Sequence, residues 1–186
     1  MKASILLTLL TLLTFGAFAQ IDYPEAFVEK LDAGQLLFIE PVEGKYKDIA
    51  NFRNEYWNFD MSIKSKKEKV ELRYAILTDT SYNGFNIPQI RMLQMLSNVA
   101  TNDQIPVVAV HSIPQSEIEH DYSADWAALA YFTPKPTLSH RDQCKVLVLH
   151  RDDVATVFVF MFFDKPTDEL EDMMHSIRFR EIEEDF

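Results

Sequence analysis

The stretch "CKVLVLHRDDVATVFVFMFF", residues 144–163, holds two apolar runs, 145–150 and 154–163, around the polar triplet Arg151, Asp152 and Asp153. Aspartates in such a triplet suit a tight turn, because their side chains bond nearby backbone groups. In the second run both alternating sets are apolar. Ala155, Val157, Val159, Met161 and Phe163 form one set, and Val154, Phe158, Phe160 and Phe162 the other. A strand that is apolar on both faces belongs in the middle of a sheet covered on each side. The run is far short of the roughly 20 residues a membrane-crossing helix needs.

Working outward, 126–132 reads as a third strand beside this hairpin. Further upstream, Trp57, Phe59, Met61 and Ile63 alternate with Asn58, Asp60 and Ser62, which predicts one half-buried strand over 56–63. Val70, Leu72, Tyr74 and Ile76 alternate with Glu71, Arg73, Ala75 and Leu77, a matching strand that completes an antiparallel hairpin. Between them, Lys64, Lys66, Lys67 and Lys69 form the chain's one basic cluster, read as a solvated turn. Pro88 suits a first helical turn, and Ile90, Met92, Leu93, Met95, Leu96 and Val99 recur at helical spacing, giving a helix over 88–100. Residues 25–31 read as a short helix and 35–39 as a short strand, while 115–122 has room for one helical turn. The run 105–113, bracketed by Pro106 and Pro114, fits either a strand or an extended crossing. Leu170, Met173, Met174 and Ile177 make an i, i+3, i+4, i+7 stripe, predicting a closing helix over 167–178. The expected class is α+β: a mostly antiparallel sheet covered by helices, an α/β/α sandwich of layers.

The first twenty residues set the compartment. Lys2 gives a positive start, 5–18 an apolar stretch, and Ala17, Phe18 and Ala19 the small-x-small pattern of a signal peptidase site. Residues 1–19 therefore read as a signal peptide cleaved between Ala19 and Gln20, with an exported product, periplasmic or secreted, and no membrane span in the mature form. No cysteine follows the apolar stretch, which argues against a lipid anchor. Residues 20–186 are one domain's worth of chain, with an acidic tail over 181–186. They are enough to bury a core without disulfides, and Cys144, the single cysteine, can form none within the chain. Eighteen Lys and Arg against 29 Asp and Glu leave a net charge of -11, a field that repels nucleic-acid backbones and anionic membrane surfaces.

Catalytic chemistry finds little support. His111, His120, His140, His150 and His175 are scattered without ligand spacing, so no metal site is assigned. Only 4 glycines are present, which speaks against a phosphate-cradling loop. Cys144 and His150 stand at opposite ends of one strand, about 20 Å apart, too far for a thiolate and its base. Asp121 and Asp125 are the carboxylate pair that would serve a hydrolase; Asp152 and Asp153 are explained by the turn. No residue is assigned a catalytic, cofactor-binding or metal role, and the chain is read as not an enzyme. Fourteen Phe, 7 Tyr and 7 Met leave open a carrier of a small apolar ligand.

Three stretches together carry a resemblance: "VELRYAIL" (70–77), "YSADWAALAYF" (122–132) with the 144–163 hairpin, and "ELEDMMHSIRF" (169–179). They resemble a family of uncharacterised exported proteins of Bacteroidota-type bacteria. These share an E-x-R-Y-A strand, an N-A-D-W-like entry, a C-x-x-x-x-L-H-K-D strand and turn, and a closing S-hydrophobic-x-F. Arg151 stands here where Lys is usual, and Ser123 where Asn is usual. The resemblance covers most of the mature chain and is weakest over 20–55 and 101–121. In element order the chain is similar to the PsbP-like α/β/α sandwich. That likeness implies a non-enzymatic accessory or binding module and supplies no catalytic residue. The resulting expectation is an exported binding or accessory domain acting through a protein partner in the cell envelope. The alternatives are the apolar-ligand carrier and, after it, a hydrolase built on Asp121 and Asp125. Asp125 itself, next to Trp126, is expected to accept hydrogen bonds from backbone groups at a strand entry.

Overall fold

The computed structural model describes residues 21–39, 46–50, 55–67, 69–78, 87–102 and 107–181. The expected signal peptide at 1–19, its expected cleavage point and tail residues 182–186 lie outside these. The described chain is α+β. Its main sheet has seven strands: β2 (Tyr46–Asp48), β3 (Met61–Ser65), β4 (Val70–Thr78), β5 (Val108–Ser112), β6 (Trp126–Phe132), β7 (Gln143–Arg151) and β8 (Ala155–Phe163). Their order is β2-β3-β4-β8-β7-β6-β5, and every pairing is antiparallel. A separate antiparallel pair joins β1 (Leu36–Phe38) to β9 (Ile177–Phe179). The helices are α1 (Glu25–Ala33), α2 (Pro88–Val99), the three-residue α3 (Gln115–Glu117), which runs into a π-helical turn over Ile118–Tyr122, and α4 (Glu169–Met174).

β8 lies fully buried between β4 and β7, as its two-sided apolar pattern requires. Its odd-numbered side chains join one apolar cluster, with Phe27 of α1, Leu36 and Phe179 of the small sheet, and Leu170 and Met173 of α4. Its even-numbered phenylalanines, Phe158, Phe160 and Phe162, join a second cluster with Met92, Met95, Leu96 and Val99 of α2. Ala128 and Ala130 of β6 belong to that cluster too, small residues beside the helix. β3 and β4 form the expected hairpin, with the basic cluster at its turn. Of the 105–113 run, Val108–Ser112 forms a strand, β5, at the end of the strand order.

Two expected elements differ. The alternation over 56–63 is not one strand, since β3 starts only at Met61. Trp57 and Phe59 pack with Phe158 and Phe160 in one cluster, whereas Met61 and Ile63 pack in the other. Asp60 marks the break. Its N–H donates to Tyr74 O at 2.8 Å, and its Oδ2 accepts the Ile76 N–H at 2.7 Å. Lys30 Nζ of α1 binds Asp60 Oδ1 at 2.7 Å and Ile76 O at 3.0 Å. A side chain thus occupies the position of a ladder partner, and the chain passes from one layer to the other. The closing helix is also shorter than its stripe. Leu170, Met173, Met174 and Ile177 are all buried, but α4 ends at Met174 and Ile177 belongs to β9. Ser176 Oγ donates to Met173 O at 2.7 Å and meets the Tyr74 hydroxyl at 3.0 Å, fixing the exit, after which pairing with β1 takes over.

Burial holds back ionisation inside these clusters, at Tyr122 and at two further groups. It pushes the Cys144 thiol well above its ordinary value of 9.0, and it raises the Tyr74 phenol, an effect that the Ser176 hydrogen bond partly offsets. Both groups give up their protons more readily in the unfolded chain, so their contribution is intact below the ordinary values of 9.0 and 10.0. It is lost as pH rises beyond them. Denaturant melts are therefore expected to show stability falling above roughly pH 9, and Cys144→Ala should delay that fall toward the tyrosine range. An unchanged onset in the variant would mean the thiol is not held in the folded core.

Candidate functional site

The segments before β6 and after β7 meet at one end of the sheet. Trp126 and His150 are register partners on β6 and β7. Just ahead of β6, the Asp125 N–H donates to His150 O at 2.9 Å, and Asp125 Oδ2 accepts the Asp152 N–H at 2.7 Å. Asp125 thus closes the β7–β8 turn, whose residue Asp153 takes the left-handed φ of 58°. A short carboxylate that tolerates local backbone bonding is suited to both positions.

Arg151 clamps the same corner from within. Its guanidinium donates to the carbonyls of Ser123 and, at 2.8 Å, Arg180, and lies 4.7 Å from the centre of the Phe179 ring. Burial lowers its pKa while the Asp125 carboxylate raises it, and a guanidinium stays charged throughout the physiological range. The geometry that presents Ser123 O follows from the local chain. The π-turn ends at Ser123, which adopts φ 49°, and the Ala124 N–H reaches back to Ile118 O at 3.4 Å.

Around this clamp lies an open groove of about 720 Å³, lined by Gln35, Glu119, Asp125, Asp152 and Glu181 beside Arg151. Four carboxylates to one buried guanidinium make it electronegative. The hydrolase pair does not assemble there. Asp125 is committed to a backbone N–H, and Asp121 binds His120 Nδ1 at 2.6 Å on the surface without lining the groove. Cys144 is buried, its Sγ 3.7 Å from Lys145 O, at the end of β7 away from His150. Among the described residues no three metal-capable side chains come together.

One constellation escaped sequence reasoning. His150 Nδ1 lies 2.8 Å from Thr156 Oγ1, and its Nε2 lies 3.1 Å from Asp152 Oδ1. Arg91 Nη1 of α2 donates to the same Thr156 oxygen at 3.1 Å. Arginine can only donate and an ionised carboxylate can only accept. The imidazole thus bridges the Thr156 hydroxyl and the Asp152 carboxylate, while Thr156 Oγ1 also accepts the Arg91 bond. The order carboxylate, imidazole, hydroxyl matches a nucleophilic triad. Yet Thr156 is 0% exposed and His150 2%, so no substrate carbonyl can approach. The chain of bonds ties α2 to the β7–β8 hairpin. The tight turn at 151–154, legible in the sequence, was the signal that places His150 opposite Thr156.

No protein-family model, curated protein or solved structure matches this chain. The site is therefore read from its geometry alone, and that geometry is structural at Asp125, Arg151 and His150. Asp125→Ala is expected to lower the unfolding free energy by about 1.5–3 kcal/mol, the worth of a charge-assisted bond to a backbone N–H. Equilibrium denaturation checks this, and a variant as stable as the parent would show that the turn closes without the carboxylate.

Proposed function

We propose that this chain is an exported, non-catalytic binding or accessory domain that acts through a protein partner in the cell envelope, built as a PsbP-like α/β/α sandwich. The observation that carries this reading is the outer edge of β5. Val107 is 71% exposed and Val110 54%, with Val108 exposed as well. Natural edge strands are commonly guarded by lysine, proline or a bulge. β5 holds neither lysine nor proline, and its one titratable side chain is His111. Such an edge accepts an extended partner segment as an additional strand, with alternate apolar side chains seated against the valines. The occupant argued for is a neutral or basic segment of another envelope protein. A second copy would bring a further net charge of -11, and that field opposes self-association.

Several features support a binding module over the alternatives. The rings that suggested a ligand carrier pack on one another: Phe158, Phe160 and Phe162 stack at 6.3 and 6.0 Å, and Trp57 and Phe59 meet them edge-on at 5.2 Å. The carboxylates of the hydrolase reading are spent on the β7–β8 turn and on His120. No described helix is long and apolar enough to cross a membrane. The export signal and the family resemblance agree with an envelope location.

Val110→Lys tests the reading, because it charges the edge without touching either core cluster. The variant is expected to keep its stability within about 0.5 kcal/mol and to lose a partner that the parent protein captures from its own envelope fraction. Capture that survives the substitution would contradict the assignment of the edge, as would a homodimer of the parent that Val110→Lys dissolves.

A further inference from the structure

At the far side of the sheet from β5, the strands carry an excess of positive charge that the rest of this acidic chain does not share. Lys47 of β2 and Lys64 of β3 are direct register partners, so two cations stand side by side on one face. Like charges opposite one another on neighbouring strands are unfavourable. Glu71 of β4 is the next register partner of Lys64. Its carboxylate is already held by Arg73 Nη2 at 2.9 Å and by Arg141 Nε at 3.4 Å. No ion pair engages Lys64 among the described residues.

Lys64 lines a pocket of about 340 Å³ between the β3–β4 hairpin and residues 136–140. Arg73 lines it too, and its position is fixed. Its Nη1 donates to Leu138 O at 2.9 Å, and the guanidinium carbon lies 5.2 and 4.9 Å from the ring centres of Phe59 and Phe162. The Arg73 side chain is 9% exposed, and its Nε is a buried donor with no acceptor. Nearly all buried N–H groups in folded proteins are paired, so an orphan donor on a side chain that lines a cavity marks a place where an acceptor is missing. The Glu71 carboxylate lines the pocket as well; Ser139 and His140 add polar groups at the same wall, while Ile49 and Pro136 supply apolar surface.

We propose that this pocket binds a small organic oxyanion, a carboxylate or a phosphate ester, whose charged end meets Lys64, with Arg73 offsetting the charge of Glu71. Its apolar part rests on Ile49 and Pro136. An oxyanion neutralises the Lys47–Lys64 repulsion and offers acceptors to the guanidinium donors that Glu71 and Leu138 leave unused. The pocket's volume lies at the small end of the range for small-molecule sites. This site is separate from the β5 edge and does not depend on a protein partner.

Titration of the mature protein with phenyl phosphate, benzoate and benzyl alcohol, followed by backbone amide chemical shifts, tests the proposal. Saturable shifts at Lys64, Ser139 and His140 are expected with at least one of the two anions, and none with the alcohol. Whichever anion binds more tightly identifies the headgroup. Lys64→Gln is expected to weaken that binding about tenfold or more, with the fold confirmed by an unchanged melting curve. Lys66→Gln, in the neighbouring turn, is expected to change it less than twofold. The proposal is overturned if neither anion saturates, if benzyl alcohol gives the same shifts, or if Lys66→Gln weakens binding as much as Lys64→Gln.

Discussion

The fold depends on the burial of β8 on both faces. In a strand covered on one side, alternate residues contribute apolar burial while every residue loses backbone freedom, about 1–2 kcal/mol each. In β8 all nine residues are buried, and each large side chain contributes about 1.5–3 kcal/mol of burial. That gain exists only if both faces of the sheet are covered, so the rest of the chain must supply two layers. α1, α4 and the β1–β9 pair serve one face, and α2 with the Trp57–Phe59 segment serves the other. Asp60 is where one segment serves both, since its carboxylate holds Lys30 and the Ile76 N–H as the chain changes sides.

Polar groups take their places from this arrangement. The ends of β7 and β8 expose a turn that needs closing, and Asp125 and Arg151 close it through backbone atoms. His150 and Thr156 face each other because the turn sets their register, and Arg91 reaches them from the helix that covers that face. The edges are different, since burial of the centre does not reach them. β5 keeps its valines exposed, and β2 and β3 keep two lysines side by side. Both proposed binding sites therefore lie at the margins of the sheet, not in its interior.

The central hairpin and the β3–β4 turn were legible in the sequence because each has a two-residue period bounded by turn residues. The role of Asp125 was legible for the same reason: a carboxylate just outside a strand has backbone donors within reach. Trp57 and Phe59 were misassigned because a period of two does not reveal a side chain replacing a ladder partner, as Asp60 does. The closing helix was overextended because Ile177 satisfies the helical stripe and is buried, yet its backbone pairs with Phe38 across more than a hundred residues. The Lys64 pocket had no local signature. Its wall at 136–140 is tied to β4 through the guanidinium of Arg73, a long-range contact that composition cannot announce.

Native-state hydrogen exchange, resolved by residue, tests most directly the claim of a closed two-sided core with open margins. The amides of β8, from Ala155 to Phe163, should exchange only through global unfolding, with a free energy equal to that from denaturant melts. Those of β5, from Val108 to Ser112, should exchange through smaller openings. Protection of β5 equal to that of β8 in the isolated protein would contradict the free edge, and local opening of β8 would contradict the closed core.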